Sequence, residues 1–184
     1  MSALSRSVCV YCGSNSGSDP EHLRVASRLG ELLADSNRTV VYGGSRMGTM
    51  GALAEGALSR GGRVVGIMPG FLKRLEIAHD SLSELRVVED MRARKHAMLT
   101  SSTAVIALPG GVGTFEELLE AITLKKLGVH PHPIVLVNTR KFYAPLLGLF
   151  ETAEREGFFA NSASLYALVD TPNEAVQVLE RELP

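Results

Sequence analysis

Short runs rich in β-branched residues recur at residues 8–11, 39–42, 64–68, 85–88, 104–108, 134–137 and 166–169, and helical patterns fill most of the gaps between them. One pattern places Leu23, Ala26, Leu29, Leu32 and Leu33 on a common face, and another does the same with Phe115, Leu118, Leu119 and Ile122, by the three-and-four spacing of a buried helical stripe. The strand runs are continuously apolar instead of half polar, which is the pattern of a parallel sheet covered by helices on both faces. The expected class is therefore α/β: a Rossmann-like three-layer fold with a mainly parallel sheet of about seven strands. Ligands of such sheets sit outside the carboxyl ends of the strands, where loops lead into helix N-termini.

At 184 residues the chain suits one α/β domain and is short for two, so residues 1–184 are expected to form a single domain. Lysine and arginine number 19 against 20 aspartates and glutamates, for a formal net charge of -1. That balance lacks the global basic field that draws nucleic acid polymers or anionic lipid, so any anion must be held locally. No apolar stretch approaches the roughly 18 residues of a membrane span. The start, MSALSRSVCVYCG, runs straight into strand-like alternation instead of a signal segment. A soluble, cytoplasmic protein with no membrane partner is expected.

Cys9 and Cys12 form a C-x-x-C that invites a redox or zinc reading. Val8, Val10 and Tyr11 place the pair in a strand, where three steps separate the Cα atoms by about 10 Å, beyond the roughly 7 Å a disulfide spans. The odd spacing also points the thiols to opposite faces, and there is no second pair to complete a zinc site. Buried structural thiols are expected. His130-x-His132 has no carboxylate cluster nearby, so no metal is assigned.

Two glycine-rich segments follow strand runs. The first, Gly43-Gly44-Ser45-Arg46-Met47-Gly48-Thr49-Met50-Gly51, leads into a helical pattern and suits a phosphate loop, with Gly43 and Gly44 letting the backbone approach an anion. It lacks the Walker lysine, since Thr49 follows Gly48, and Ser45 breaks a dinucleotide fingerprint. It equally suits a tight turn whose small residues serve helix packing. The second, Pro109-Gly110-Gly111-Val112-Gly113-Thr114-Phe115-Glu116-Glu117, has the order strand, glycine turn, helix. Thr114 is placed to cap that helix and to bind a phosphate with the following amides. Glu117 stands at the capping-box spacing from Thr114, so capping and catalysis are both open to it, while Glu116 and Glu120 read as solvated charges. Between these segments, Met91, Met98 and Leu99 define a helical stripe whose middle positions are Arg94 and Lys95. Two cations on a core-facing stripe need carboxylates, a substrate anion or an outlet to solvent.

PGGVGTFEE at 109–117, the Arg94-Lys95 pair after Asp90-Met91, and YGGSRMGTMG at 42–51 together resemble the LOG (Lonely Guy) phosphoribohydrolases, long labelled lysine decarboxylases, over nearly the full length. The resemblance implies a Rossmann-like homodimer or higher homo-oligomer that cleaves the N-glycosidic bond of adenine-type nucleoside 5′-monophosphates to free base and ribose 5-phosphate, without a metal or organic cofactor. Carried over by position, Arg94 and Glu117 correspond to the catalytic pair. Substrate contacts correspond to Glu76, Lys95, Gly110, Gly111, Val112, Gly113, Thr114, Phe115, Glu116 and Thr123. Ser45 and Thr49 stand where many relatives carry glycine and leucine, a change expected to narrow or polarise the pocket. Many plant-type relatives place a Trp in the segment at 124–128, and this chain has none, so both AMP and N6-prenyl-AMP remain candidate substrates. Two rivals are a non-catalytic nucleotide-binding module and a pyridoxal phosphate decarboxylase, for which Lys95 would be the Schiff-base lysine.

Overall fold

The computed structural model describes residues 6–75 and 78–183. The strands β1 (Ser7–Tyr11), β2 (Thr39–Tyr42), β3 (Val64–Pro69), β4 (Glu84–Val88), β5 (Ala104–Ala107), β6 (Ile134–Val137) and β7 (Ala167–Val169) each match an expected run to within one residue at either end. They form a seven-stranded sheet in the order β4-β3-β2-β1-β5-β6-β7, and every neighbouring pair is parallel. This is the Rossmann-like three-layer arrangement expected from the alternation. Residues of β1, β3, β5 and β6 are buried throughout, as strands covered on both faces must be. The edge strand β4 instead shows Glu84 and Arg86 to solvent, where charge protects an unpaired edge.

Helices α1 (Glu21–Asp35), α2 (Gly48–Ser59) and α7 (Pro172–Glu182) cover one face of the sheet through residues such as Leu29, Leu53 and Leu179. On the other face lie α4 (Met91–Thr100), α5 (Val112–Lys126) and α6 (Ala144–Arg155), anchored by Met98, Leu118, Ile122 and Phe150. A short helix, α3 (Leu72–Leu75), follows β3. Cys9 and Cys12 are free and buried and belong to cores on opposite sides of the sheet, as their spacing requires. The α1–α2 contact is backbone against backbone: a Cβ on Gly30 would overlap the Leu53 carbonyl, and one on Gly56 the Ser27 carbonyl. Among the described residues no helix is long and apolar enough to cross a membrane.

Candidate active site

The connections β1 to β2 to β3 to β4 proceed toward one edge of the sheet, whereas β5, β6 and β7 lie on the other side of β1. The loops after β1 and β5 therefore diverge and leave a crevice, the switch point at which open α/β sheets bind ligands. A cavity of about 700 Å³ occupies it, between the loop at 12–17, the first turn of α2, and the segment at 109–114. Its size suits a ligand of nucleotide dimensions.

The start of α5 forms one wall. Gly111 is its N-cap in an extended conformation (φ -92, ψ -161), so Val112 is the first helical residue. Thr114 is consequently inside the helix and does not cap it, and Glu117 lies in the second turn, out of reach of a capping box. This corrects the expected register, and the reason is steric. The Gly110-Gly111 turn lets the helix begin before Thr114, whose Oγ1 fills the space a Cβ on Gly110 would need. The N-cap makes no side-chain hydrogen bond and the first turn carries no acid, so its amides and the positive end of the helix dipole remain suited to an anion. Additional Cβ atoms at Gly111 or Gly113 would meet nothing within 4 Å.

Arg94 enters from α4, a helix capped by Asp90 Oδ1, which accepts from the Ala93 amide at 2.8 Å. Its side chain is buried, at 6% exposure, and lines the cavity. Nη2 donates to the Gly43 carbonyl at 3.4 Å and Nη1 contacts Met91 Sδ at 3.7 Å, while Nε is buried without a partner. A guanidinium with unused donors in a cavity wall is prepared for ligand oxygens. Gly43 is what admits it, because a Cβ there would overlap Nη2 and stand 2.8 Å from Met50 Sδ.

Glu117 faces the same cavity at 7% exposure. Burial pushes its carboxyl up to about 7, against the pull of the Arg94 cation and with a further push from Glu116. Such a carboxyl changes charge near neutral pH, as a group that serves as a carboxylate or proton carrier in a closed site should.

A family model described as "Possible lysine decarboxylase" matches residues 50–179. The cytokinin riboside 5′-monophosphate phosphoribohydrolase of Rhodococcoides fascians is 47% identical over 154 residues, covering 83% of this chain and 78% of that protein. An Arabidopsis thaliana protein of the same name is 39% identical over 179 residues, covering 96% and 84%. The chain belongs to the LOG phosphoribohydrolase family. The molybdenum cofactor carrier protein of Chlamydomonas reinhardtii shares its fold, with a TM-score of 0.74, 23% identity, and coverage of 95% of this chain and 96% of that one.

The residues marked by the LOG resemblance divide in space. Arg94, Gly110, Gly111, Val112, Gly113, Thr114 and Glu117 line the cavity. Gly43 and Gly44 do not: Gly43 seats Arg94 from behind, and Gly44 (φ +84) packs toward Gly66 and Leu85. Phe115 stacks on Phe142, with ring centroids 5.9 Å apart, and Phe142 lines the cavity. Thr123 donates its hydroxyl to the Leu119 carbonyl at 2.7 Å. Lys95 binds Glu116 and lies 2.9 Å from Glu120, outside the cavity lining. The two cations of the α4 stripe thus take different outlets, an ion pair for Lys95 and the cavity for Arg94. Glu76 lies outside the described residues. Among the described residues no group of three or more His, Cys, Asp or Glu is placed to hold a metal.

Ser45 and Thr49 spend their hydroxyls on backbone. Ser45 Oγ accepts from the Met47 amide at 3.1 Å. Thr49 Oγ1 accepts from Gly13 N–H at 2.9 Å and donates to the Gly13 carbonyl at 3.0 Å. Thr49 thereby ties the loop after β1 to α2. That loop, Phe142 and His22 are cavity residues the sequence did not disclose. Gly13-Ser14-Asn15-Ser16-Gly17 did carry a signal, small residues after a strand. Phe142 carried none, since it is delivered by a turn in which Arg140 and Lys141 adopt φ 54 and 60.

Proposed function

We propose that the chain is a phosphoribohydrolase that cleaves the N-glycosidic bond of adenine-type nucleoside 5′-monophosphates, AMP or its N6-prenyl derivatives, to free base and ribose 5-phosphate. The observation that carries the reading is the convergence of three features on one cavity: open first-turn amides of α5, the Arg94 guanidinium, and the buried Glu117 carboxyl. Its sequence relatives named for this activity support it.

In this reading the amides at 112–114 receive the 5′-phosphate and Arg94 takes ribose or phosphate oxygens, which fixes C1′ next to Glu117. Departure of the base leaves an oxocarbenium-like ribosyl group. The Glu117 carboxylate stabilises that charge and directs water to C1′. The C1′–N bond breaks with its electrons going to the base. Water supplies the hydroxyl at C1′, and a proton ends on the departing nitrogen. No step calls for a metal or organic cofactor, and the chain acts as a cytoplasmic, single-domain enzyme. Its assembly is a homodimer or higher homo-oligomer, a reading supported by the exposed Val112, Leu119 and Leu127 on one side of α5 and its C-terminal end.

Incubation with AMP, GMP, CMP and isopentenyl-AMP, with base and ribose 5-phosphate quantified, tests the reading. Release from the adenine nucleotides, lost in Glu117→Gln, is the expected result. Thermal stabilisation by AMP without base release would replace the hydrolase with a nucleotide-binding module.

A further inference from the structure

The glycine turn after β5 has little to hold it from within. A Cβ on Gly111 or Gly113 would meet nothing within 4 Å, and the three atoms nearest a Cβ on Gly110 all belong to Thr114. Glycine backbone without packing around it visits many conformations, whereas a group that positions a ligand must be fixed closely. The restraint therefore has to come from the two ends of the turn, and the connection between β6 and α6 reaches both. Tyr143, fully buried at the start of α6, donates its hydroxyl to the Leu108 carbonyl at 2.7 Å. Burial keeps that phenol protonated. Phe142 stacks on Phe115 in the first turn of α5, with ring centroids 5.9 Å apart and planes inclined by 23°. The rings of Phe142 and Tyr143 stand at 88° to each other, so one grips the residue before the turn and the other the residue after it.

The connection that carries these rings is built under strain. Arg140 and Lys141 both have left-handed backbones, φ 54 and 60, which are uncommon for long side chains and persist where the surroundings over-determine them. Asn138 Oδ1 accepts from the Tyr143 amide at 2.8 Å, across the strained pair, and the Asn138 amide donates to the Val169 carbonyl of β7 at 2.7 Å. Arg140 Nε lies 2.8 Å from Asp19 Oδ2, while Asp19 Oδ1 accepts from the Glu21 amide at 2.8 Å at the start of α1. We propose that Phe142 and Tyr143 form a two-pronged splint that sets the spacing between the end of β5 and the start of α5, and so holds the amides at 112–114 in place for a phosphate. The inference rests on the reading of those amides as the phosphate site. Both residues are positioning residues. Tyr143 lies outside the cavity lining and acts through Leu108; Phe142 lines the cavity, but its ring offers a phosphate no donor and acts through Phe115.

The test compares Tyr143→Phe, Phe142→Leu and Phe142→Tyr in the full chain. Three properties are measured: calorimetric affinity for ribose 5-phosphate, kcat and KM for AMP, and backbone-amide NMR order parameters at 111–113 without ligand. Tyr143→Phe and Phe142→Leu should each weaken ribose 5-phosphate binding and raise KM by about three- to tenfold, with kcat changed less than about threefold. Order parameters at 111–113 should fall in both, and Phe142→Tyr, which keeps the stacked ring, should retain wild-type affinity. Unchanged ribose 5-phosphate affinity in both Tyr143→Phe and Phe142→Leu, with only the urea midpoint lowered, would reduce the pair to core packing and overturn the splint. Weakened binding with unmoved order parameters would overturn it as well, as would wild-type protein that does not bind ribose 5-phosphate. If ribose 5-phosphate binds but AMP is not hydrolysed, the hydrolase reading fails while the binding and NMR results still decide the splint.

Discussion

The glycine-rich turns after β2 and β5 look alike in sequence and do opposite work in the structure. After β2 the glycines are places where other atoms press in. Arg94 presses on Gly43, the Ser14 and Asn15 backbone stands 2.5–2.6 Å from a Cβ on Gly48 (φ +60), and the Arg46 carbonyl closes on Gly51. After β5, Gly111 and Gly113 face open space at the cavity. One turn uses glycine to let the protein approach itself, and the other leaves room for a ligand. The β2 turn still bears on the cavity, because it holds Arg94, which lines the same cavity as the β5 turn.

Substitutions separate these roles. The largest effect belongs to Glu117→Gln, which should lower kcat about a thousandfold in a steady-state assay. The same variant should gain stability at alkaline pH. The wild-type carboxyl, raised from 4.5 to about 7 in the folded protein, binds its proton more tightly when folded. Its stabilising contribution is full below pH 4.5, declines as pH rises through about 7, and is absent above. Glutamine does not titrate, so at pH 8 Glu117→Gln should unfold at higher denaturant, by on the order of 3 kcal/mol. Next, Gly43→Ala displaces Arg94 and should reduce kcat/KM for AMP about a hundredfold with little change in melting temperature. Gly48→Ala should show the reverse, a loss of about 2–3 kcal/mol in urea unfolding. Smallest is Gly113→Ala, expected to raise KM for AMP several-fold while gaining up to about 1 kcal/mol from helix propensity. A Gly113→Ala protein that binds AMP normally would remove that turn from the anion site.

The sheet was legible because each strand run is bounded by turns and the apolar residues at 8–11, 104–108 and 134–137 can be covered only from both faces. The second glycine turn was legible as a candidate site, since its order of strand, turn and helix survives in three dimensions. The register of α5 was not. Thr114 and Glu117 satisfy a capping pattern locally, and only the packing of Thr114 beneath Gly110 moves the helix start to Val112. The role of Gly43 was hidden for a different reason. Its constraint comes from Arg94, 51 residues away, and no local pattern records such a contact. Lys95 and Arg94 looked equivalent on a helical stripe because their partners lie on other elements.

The backbone contact between α1 and α2, with no side chain between Gly30 and Leu53 or between Gly56 and Ser27, makes the floor under the loops after β1 and β2 a single stiff plate. Helices meshed this closely have no slack in which to slide. Entry and exit of a ligand then fall to the opposite wall, where Phe71 and Val112 line the cavity and are exposed to solvent, and residence time should respond to bulk added there far more than to changes in the plate.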